Sequence, residues 1–401
     1  MKYTISGKWI DISGKRIVKG RFHIEEGKIS SFEETEDADD VFILPGFIDA
    51  HIHIESSMLV PYEFARVALT HGTVATVSDP HEIANVLGTS GVHYMLENAR
   101  NAKLKFHFGA PSCVPATSFE SAGAEMGPDA VGELLQRDDI YYLSEMMNYP
   151  GVLFEDPDVM KKIALAKKYG KPVDGHAPGL RGDDAKKYIA AGISTDHECF
   201  TLEEALDKIQ HGMKILIREG SAARNYDALH PLLKSHPASC MFCCDDKHPD
   251  ELLLGHINLH VARSLALGYD IFDVLYAACI HPVLHYKLRS GILRPGDPAD
   301  FILINNTADF KVLRTYIDGE CVAENGASIL PPAVHTPVNN FHAWSLHADD
   351  FKIPAESSFV RAIEVYDGQL ITGEMQVAVE NNNGNASPDP SRDLLKIAVV
   401  N

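Results

Sequence analysis

Between residues 44 and 290 short apolar runs alternate with stretches of helical periodicity. Thr73 to Ser78, Ile140 to Ser144 and Pro172 to Gly175 have the length and the β-branched or aromatic content of buried strands. Between them, Asp156 to Tyr169 and Asp183 to Ala191 read as helices, ended by Gly170 and Gly192 just past their last turns. Strand-helix alternation over about 250 residues predicts a (β/α)8 barrel of the TIM type. A doubly wound sheet gives a similar pattern, but the chain has no G-x-G-x-x-G and no Walker-type loop, the marks of the commonest sheets of that kind.

The flanks read differently. Lys8 to Asp11, Arg16 to Val18, Phe22 to Ile24 and Lys28 to Ser30 are short strand-like runs punctuated by Gly14, Gly20 and Gly27. A second patch, Ala299 to Ile304 and Val312 to Ile317 with a turn at Asp318-Gly319, lies far downstream. Each patch is too small to fold alone. The fold class expected is therefore α/β: a barrel over 44–290 with a small β-sandwich domain composed of 1–43 and 291–330. Residues 331–401 are expected to form a partial C-terminal α+β region, with a hairpin around Asp367-Gly368. The run from Lys396 to Asn401 looks like the inside of a strand, which predicts that the natural product continues.

Length and charge narrow the function. A chain of 401 residues has room for a large barrel and one or two smaller units. Its formal net charge of -20 repels phosphate backbones, so nucleic acid is not expected as a partner. The N-terminus lacks an apolar signal core, and no apolar run approaches the ~20 residues that span a bilayer. The expectation is a cytoplasmic protein with no membrane partner. Seven scattered cysteines do not suggest a disulfide framework, and the cluster Cys240, Cys243, Cys244 has no second CxxC, so it reads as a buried strand.

Chemistry-bearing residues recur where predicted strands end. His51 and His53 close the run that begins at Leu44, and residues i and i+2 of a strand share a face, so both imidazoles can reach one ion. Asp79, His81 and Glu82 follow Thr73 to Ser78, and Glu145 follows Tyr141 to Ser144. His176 follows Val173 to Gly175, His197 and Glu198 follow Ile193 to Asp196, and Asp245 follows Cys240 to Cys244. Alone, a strand-end histidine is more often a hydrogen-bonded structural residue, and a strand-end aspartate is often a helix cap. Together, His51, His53, His176 and His197 with Glu145 and Asp245 make a two-metal inventory, because a carboxylate can give one oxygen to each ion.

The segments Pro45 to Ser57, Ser78 to Asn85, Glu145 to Asn148, Asp174 to Gly179, Asp196 to Glu198, Asp245 to Pro249, Gly255 to Ile257 and Gly291 to Phe301 resemble the amidohydrolase superfamily. Within it, the Ile54-Glu55-Ser56-Ser57 sequence after the histidines resembles the adenine deaminases. The resemblance spans essentially the whole chain, although members usually carry a further C-terminal region with a histidine-containing segment. It implies hydrolysis of adenine to hypoxanthine and ammonia in purine salvage, by a hydroxide activated between two divalent ions, manganese first and iron or zinc otherwise. It also implies that His51, His53 and Asp245 hold one ion, His176 and His197 the other, and that Glu145 bridges them in place of a carboxylated lysine. Asp245 would relay the proton, with Asp79 and Glu55 as further catalytic groups. Glu55, Ser56, His81 and Glu82 would lie against the substrate, in a homo-oligomer, most simply a dimer. A dihydropyrimidinase- or dihydroorotase-like cyclic amidohydrolase and an inactive truncated scaffold are the alternatives.

Overall fold

The computed structural model describes residues 2–117, 119–338 and 344–399, which fall into two compact units, 1–336 and 337–401. In the first unit, parallel strands Phe47–His53, Thr73–Ser78, Lys105–Ala110, Ile140–Met146 and Val173–Gly175 pair in sequence order. Thr195–Asp196, Lys214–Arg218 and Cys240–Cys243 continue the series. A bridge between Val173 and Ile193 joins the two groups of strands. Pairing of Asp245 and Asp246 with Ile52 and His53 then closes the barrel. The strand interiors are buried throughout, as expected for a parallel sheet covered by helices. Among the described residues no helix is long and apolar enough to cross a membrane.

The helices begin and end for local reasons. Pro157–Lys168 starts at Asp156, whose carboxylate accepts the N–H groups of Asp158 and Val159. It stops before Gly170, whose φ of 65° is left-handed.

The two flanks form one eight-stranded sheet. Its centre is Phe42–Pro45, which runs parallel to Lys2–Asp11 on one side and antiparallel to Phe301–Ile304 on the other, then leads straight into the first barrel strand. Its own core contains Phe22, Ile24, Ile29, Ile43, Phe301 and Leu303. Gly20 is not a turn. It lies inside the strand Arg16–Glu25, opposite Gly7, and a Cβ there would sit 2.3 Å from the Phe32 ring, so the glycine makes room for an aromatic.

Asp300 ties this sheet to the barrel. Fully buried, it accepts Lys105 Nζ at 2.8 Å from the third barrel strand, Gly291 N at 2.8 Å and Asp318 N at 2.9 Å. Asp300→Ala would strand two buried backbone donors and leave the Lys105 ammonium with only Asp318 Oδ1 at 2.7 Å and the Arg289 carbonyl at 3.3 Å. It is expected to lower unfolding stability by about 3 kcal/mol or more in urea titrations. An unchanged midpoint would show that water replaces the carboxylate.

Among the described residues of the second unit the expected α component is not found. Its described residues form the hairpin Phe359–Val365 with Thr372–Ala378, the small hairpin Asn381–Asn382 with Asn385–Ala386, and two short 3-10 turns. Exposed and half-buried positions alternate along Phe359–Val365, the period of a strand and not of a helix. Residues 395–399 have no regular structure, and the end of that apolar run, Val400 and Asn401, lies outside the described residues.

Candidate functional site

The chemistry-bearing residues named from sequence gather at the C-terminal mouth of the barrel, where such folds carry their active sites. His51 and His53 are both inside the first strand, and a register irregularity between Asp49 and Ile52 precedes the point where the strand opens. Their Nε2 atoms lie 3.2 Å apart. Nδ1 of His53 donates to the backbone carbonyl of Asp79 at 3.1 Å, which turns its Nε2 lone pair inward.

Glu145, next to last in the fourth strand, is the hub. Its Oε2 is 2.8 Å from His176 Nδ1 and 3.2 Å from His197 Nε2, and its Oε1 is 3.4 Å from both His53 Nε2 and His81 Nδ1. His176 can approach because Gly175 has no side chain; a Cβ there would meet the Thr195 carbonyl at 2.4 Å. Asp245 follows a break in the eighth strand. At φ 58° its backbone is left-handed, and this turn aims Oδ1 to 3.0 Å from His53 Nε2 and 3.5 Å from His51 Nε2.

The electrostatics favour a cation at this point. Burial resists charge on Glu145, yet His176 and His197 hold its carboxyl well below the ordinary range. Burial likewise opposes ionisation of Asp245, and Arg218 with His51 and His53 outweighs it. Burial pulls His53 down, but Asp245, Glu145 and Asp79 lift it well above the usual imidazole value. Donor atoms of His51, His53 and Asp245 lie within 4.8 Å of one another, and so do those of His51, Glu145 and His197. Buried His51 Nδ1, His197 Nε2 and Asp79 Oδ1 make no hydrogen bond. Ionised carboxylates, inward imidazole nitrogens and an unpartnered buried donor fit divalent metal.

A second group flanks the first. His81 Nδ1 donates to Asp79 Oδ2 at 3.1 Å, and its pKa, pulled down by burial, is raised to about 9 by Asp79. Glu55 accepts Ile83 N at 3.1 Å through Oε1, while Oε2 is unpartnered. Burial and the neighbouring Glu82 push its carboxyl up to about 7. Ser56 joins this edge by donating to Asp246 Oδ1 at 2.5 Å and to Glu82 Oε1 at 3.3 Å.

Sequence reasoning gave no role to Glu198 and missed Arg218 and the seventh strand that carries it. Arg218 is fully buried and bonds both Glu198 and Asp245. The signal was present in Lys214 to Arg218, an apolar run ending in a charge like the other strand ends. Also missed was the Asp49–His256 pair at 2.8 Å. Asp49 Oδ1 accepts the N–H of His51 at 3.2 Å and of Cys244 at 3.1 Å, so one carboxylate fastens the strands that deliver His51 and Asp245.

Comparison with known proteins agrees with this geometry. Residues 42–322 match the model of the amidohydrolase family. An adenine deaminase of Salinibacter ruber is 53% identical over 399 residues, covering 100% of this chain and 73% of the relative. Adenine deaminases of Methanosarcina mazei and Borreliella burgdorferi are 50% and 47% identical, over 98% and 100% of the chain and 73% and 74% of their own lengths. The chain thus spans about three quarters of these relatives. Among solved structures, a β-aspartyl dipeptidase of Fervidobacterium islandicum superposes with TM-score 0.62 at 16% identity, over 83% of this chain and 100% of that one. An N-acetyl-D-glucosamine-6-phosphate deacetylase of Mycobacterium smegmatis gives 0.59 at 15%, over 80% and 99%, and both share the fold. With this barrel, this mouth and relatives matched from end to end of the chain, the protein belongs to the amidohydrolase family and, within it, to the adenine deaminases.

Proposed function

We propose that the chain hydrolyses adenine to hypoxanthine and ammonia, using two divalent ions, manganese by preference and iron or zinc otherwise. The observation that carries this reading is the convergence of four histidines, Glu145 and Asp245 in a chain 53% identical to an adenine deaminase along its length. His51, His53 and Asp245 would hold one ion, His176 and His197 the second, and Glu145 both. Metal bound there supplies the Lewis acidity that makes water nucleophilic near neutral pH.

The remaining work falls to this chain's side chains. Asp245 accepts the proton that water loses on attacking C6 and passes it to the departing amine. Asp79 orients His81, whose Nδ1 sits 3.4 Å from Glu145 Oε1 at the edge of the reacting centre. Glu55, Ser56 and Glu82 present acceptors to the N–H edge of the purine. A protonated Glu55, favoured by its raised pKa, can also donate to a ring nitrogen. The proposal includes a cytoplasmic dimer, and the net charge of -20 accords with a small-molecule substrate and no nucleic acid.

The test is ultraviolet assay of adenine with the purified, Mn(II)-loaded chain. Conversion to hypoxanthine that disappears with chelator and returns with Mn(II) is the expected result. Two bound ions per chain without conversion would sink the substrate assignment.

A further inference from the structure

Arg218 has no part in the proton transfers above, yet it is the largest of the fully buried side chains. It ends the strand Lys214–Arg218. Its Nη1 donates to Asp245 Oδ2 at 2.7 Å and to Glu198 Oε1, and its Nη2 donates to Glu198 Oε2 at 3.1 Å. The backbone is fixed as tightly. Arg218 N donates to Asn225 Oδ1 at 2.7 Å, Asn225 N returns to Arg218 O at 3.0 Å, and Asn225 Nδ2 donates to His197 O at 2.8 Å. The following turn is pressed against the eighth strand, since a Cβ on Gly220 would lie 2.6 Å from Cys244 O.

Such a trio is an expensive way to gain stability, because desolvating three charges can exceed their mutual attraction. What it does supply is orientation. Asp245 has one oxygen on Arg218 and the other toward His51 and His53. Glu198 lies close enough to join the metal-binding set, its Oε1 3.4 Å from His197 Nε2 and 3.7 Å from His176 Nδ1. Both of its oxygens are instead engaged by the guanidinium fork.

We propose that Arg218 is a positioning residue that sorts two carboxylates: it holds Asp245 to one inward oxygen and keeps Glu198 out of the metal-binding set. This rests on the metal-centre reading above. A third carboxylate on the ions would neutralise more of their charge and weaken their pull on water. A planar fork can hold both acids in register, whereas a lysine ammonium, a point charge, cannot.

The experiment compares Arg218→Lys, Arg218→Lys/Glu198→Gln and Arg218→Met/Glu198→Gln with the parent chain, all loaded with Mn(II). The rate of Mn(II) loss to a chelator is read first, then kcat and KM for adenine. In Arg218→Lys, Glu198 joins the set, so Mn(II) leaves about tenfold more slowly while kcat falls ~10–100-fold at nearly constant KM. Adding Glu198→Gln returns the release rate toward the parent value. Parent-like release and kcat in Arg218→Lys overturn the proposal. If that variant does not fold, Arg218→Met/Glu198→Gln decides, since it removes the guanidinium together with the Glu198 charge and leaves Asp245 Oδ2 as the one group that loses its partner. There the freed Asp245 oxygen slows release and lowers kcat, and parent-like values overturn the idea. Release is measured without adenine, so a chain inactive on adenine but altered in release sinks the substrate reading alone. Unchanged release in an active chain sinks the role of Arg218 alone.

Discussion

Glu145→Gln is expected to abolish turnover and metal retention together. Among the described residues, Glu145 is the one carboxylate within 4.0 Å of His51, His53, His81, His176 and His197 at once. An amide keeps its volume and its place in the strand Ile140–Met146, so the barrel should fold. It does not keep the charge, and its nitrogen offers no lone pair to a second ion. The loss should exceed the ~10–100-fold that follows removal of an outer-shell partner, because here the group proposed to bridge the ions goes. Metal analysis and kcat on the same preparation check it. Two ions per chain with near-parent turnover would remove Glu145 from the bridging position.

Asp245→Asn is the second large effect, and the backbone makes it a clean test. Asp245 sits at φ 58°, a region that asparagine tolerates better than most residues, so the substitution adds little strain. The amide oxygen can still accept from Arg218 Nη1, which now holds Asp245 Oδ2 at 2.7 Å. What disappears is the inward oxygen proposed to hold metal and take the proton lost by water; an amide nitrogen, which does neither, stands in its place. Turnover should fall by ~10²–10⁴ even after Mn(II) is restored, the range for a positioned acid-base group. A reloaded variant that turns over adenine near the parent rate would confine Asp245 to metal binding.

Much of this site is local enough to be read along the chain. His51 and His53 share a face because a strand repeats every two residues, and that periodicity needs no other part of the molecule. Glu145, His176, His197 and Asp245 each follow an apolar run, so their place at the barrel mouth follows once the runs are taken as parallel strands. Where the signal was short or mixed, reading failed. Lys105–Ala110 begins with a charge and carries a buried histidine, and Lys214–Arg218 is charged at both ends, so neither stood out as a barrel strand. Gly20 looked like punctuation because nothing in one strand shows an aromatic waiting on the next.

By itself, then, the sequence determined the residue types, their order and the faces they share, since these depend on periods of two and of 3.6 residues. Tertiary structure alone decided which donors meet. Ser56 reaches Asp246 across 190 residues, and Asp49 reaches Cys244 across 195, only because the last barrel strand closes on the first. Pairing of the sixth, seventh and eighth strands sets Arg218 between Glu198 and Asp245, separating the carboxylate aimed at the histidines from the one held away. Orientation of that kind arises from packing among elements distant in sequence, and no local pattern encodes it.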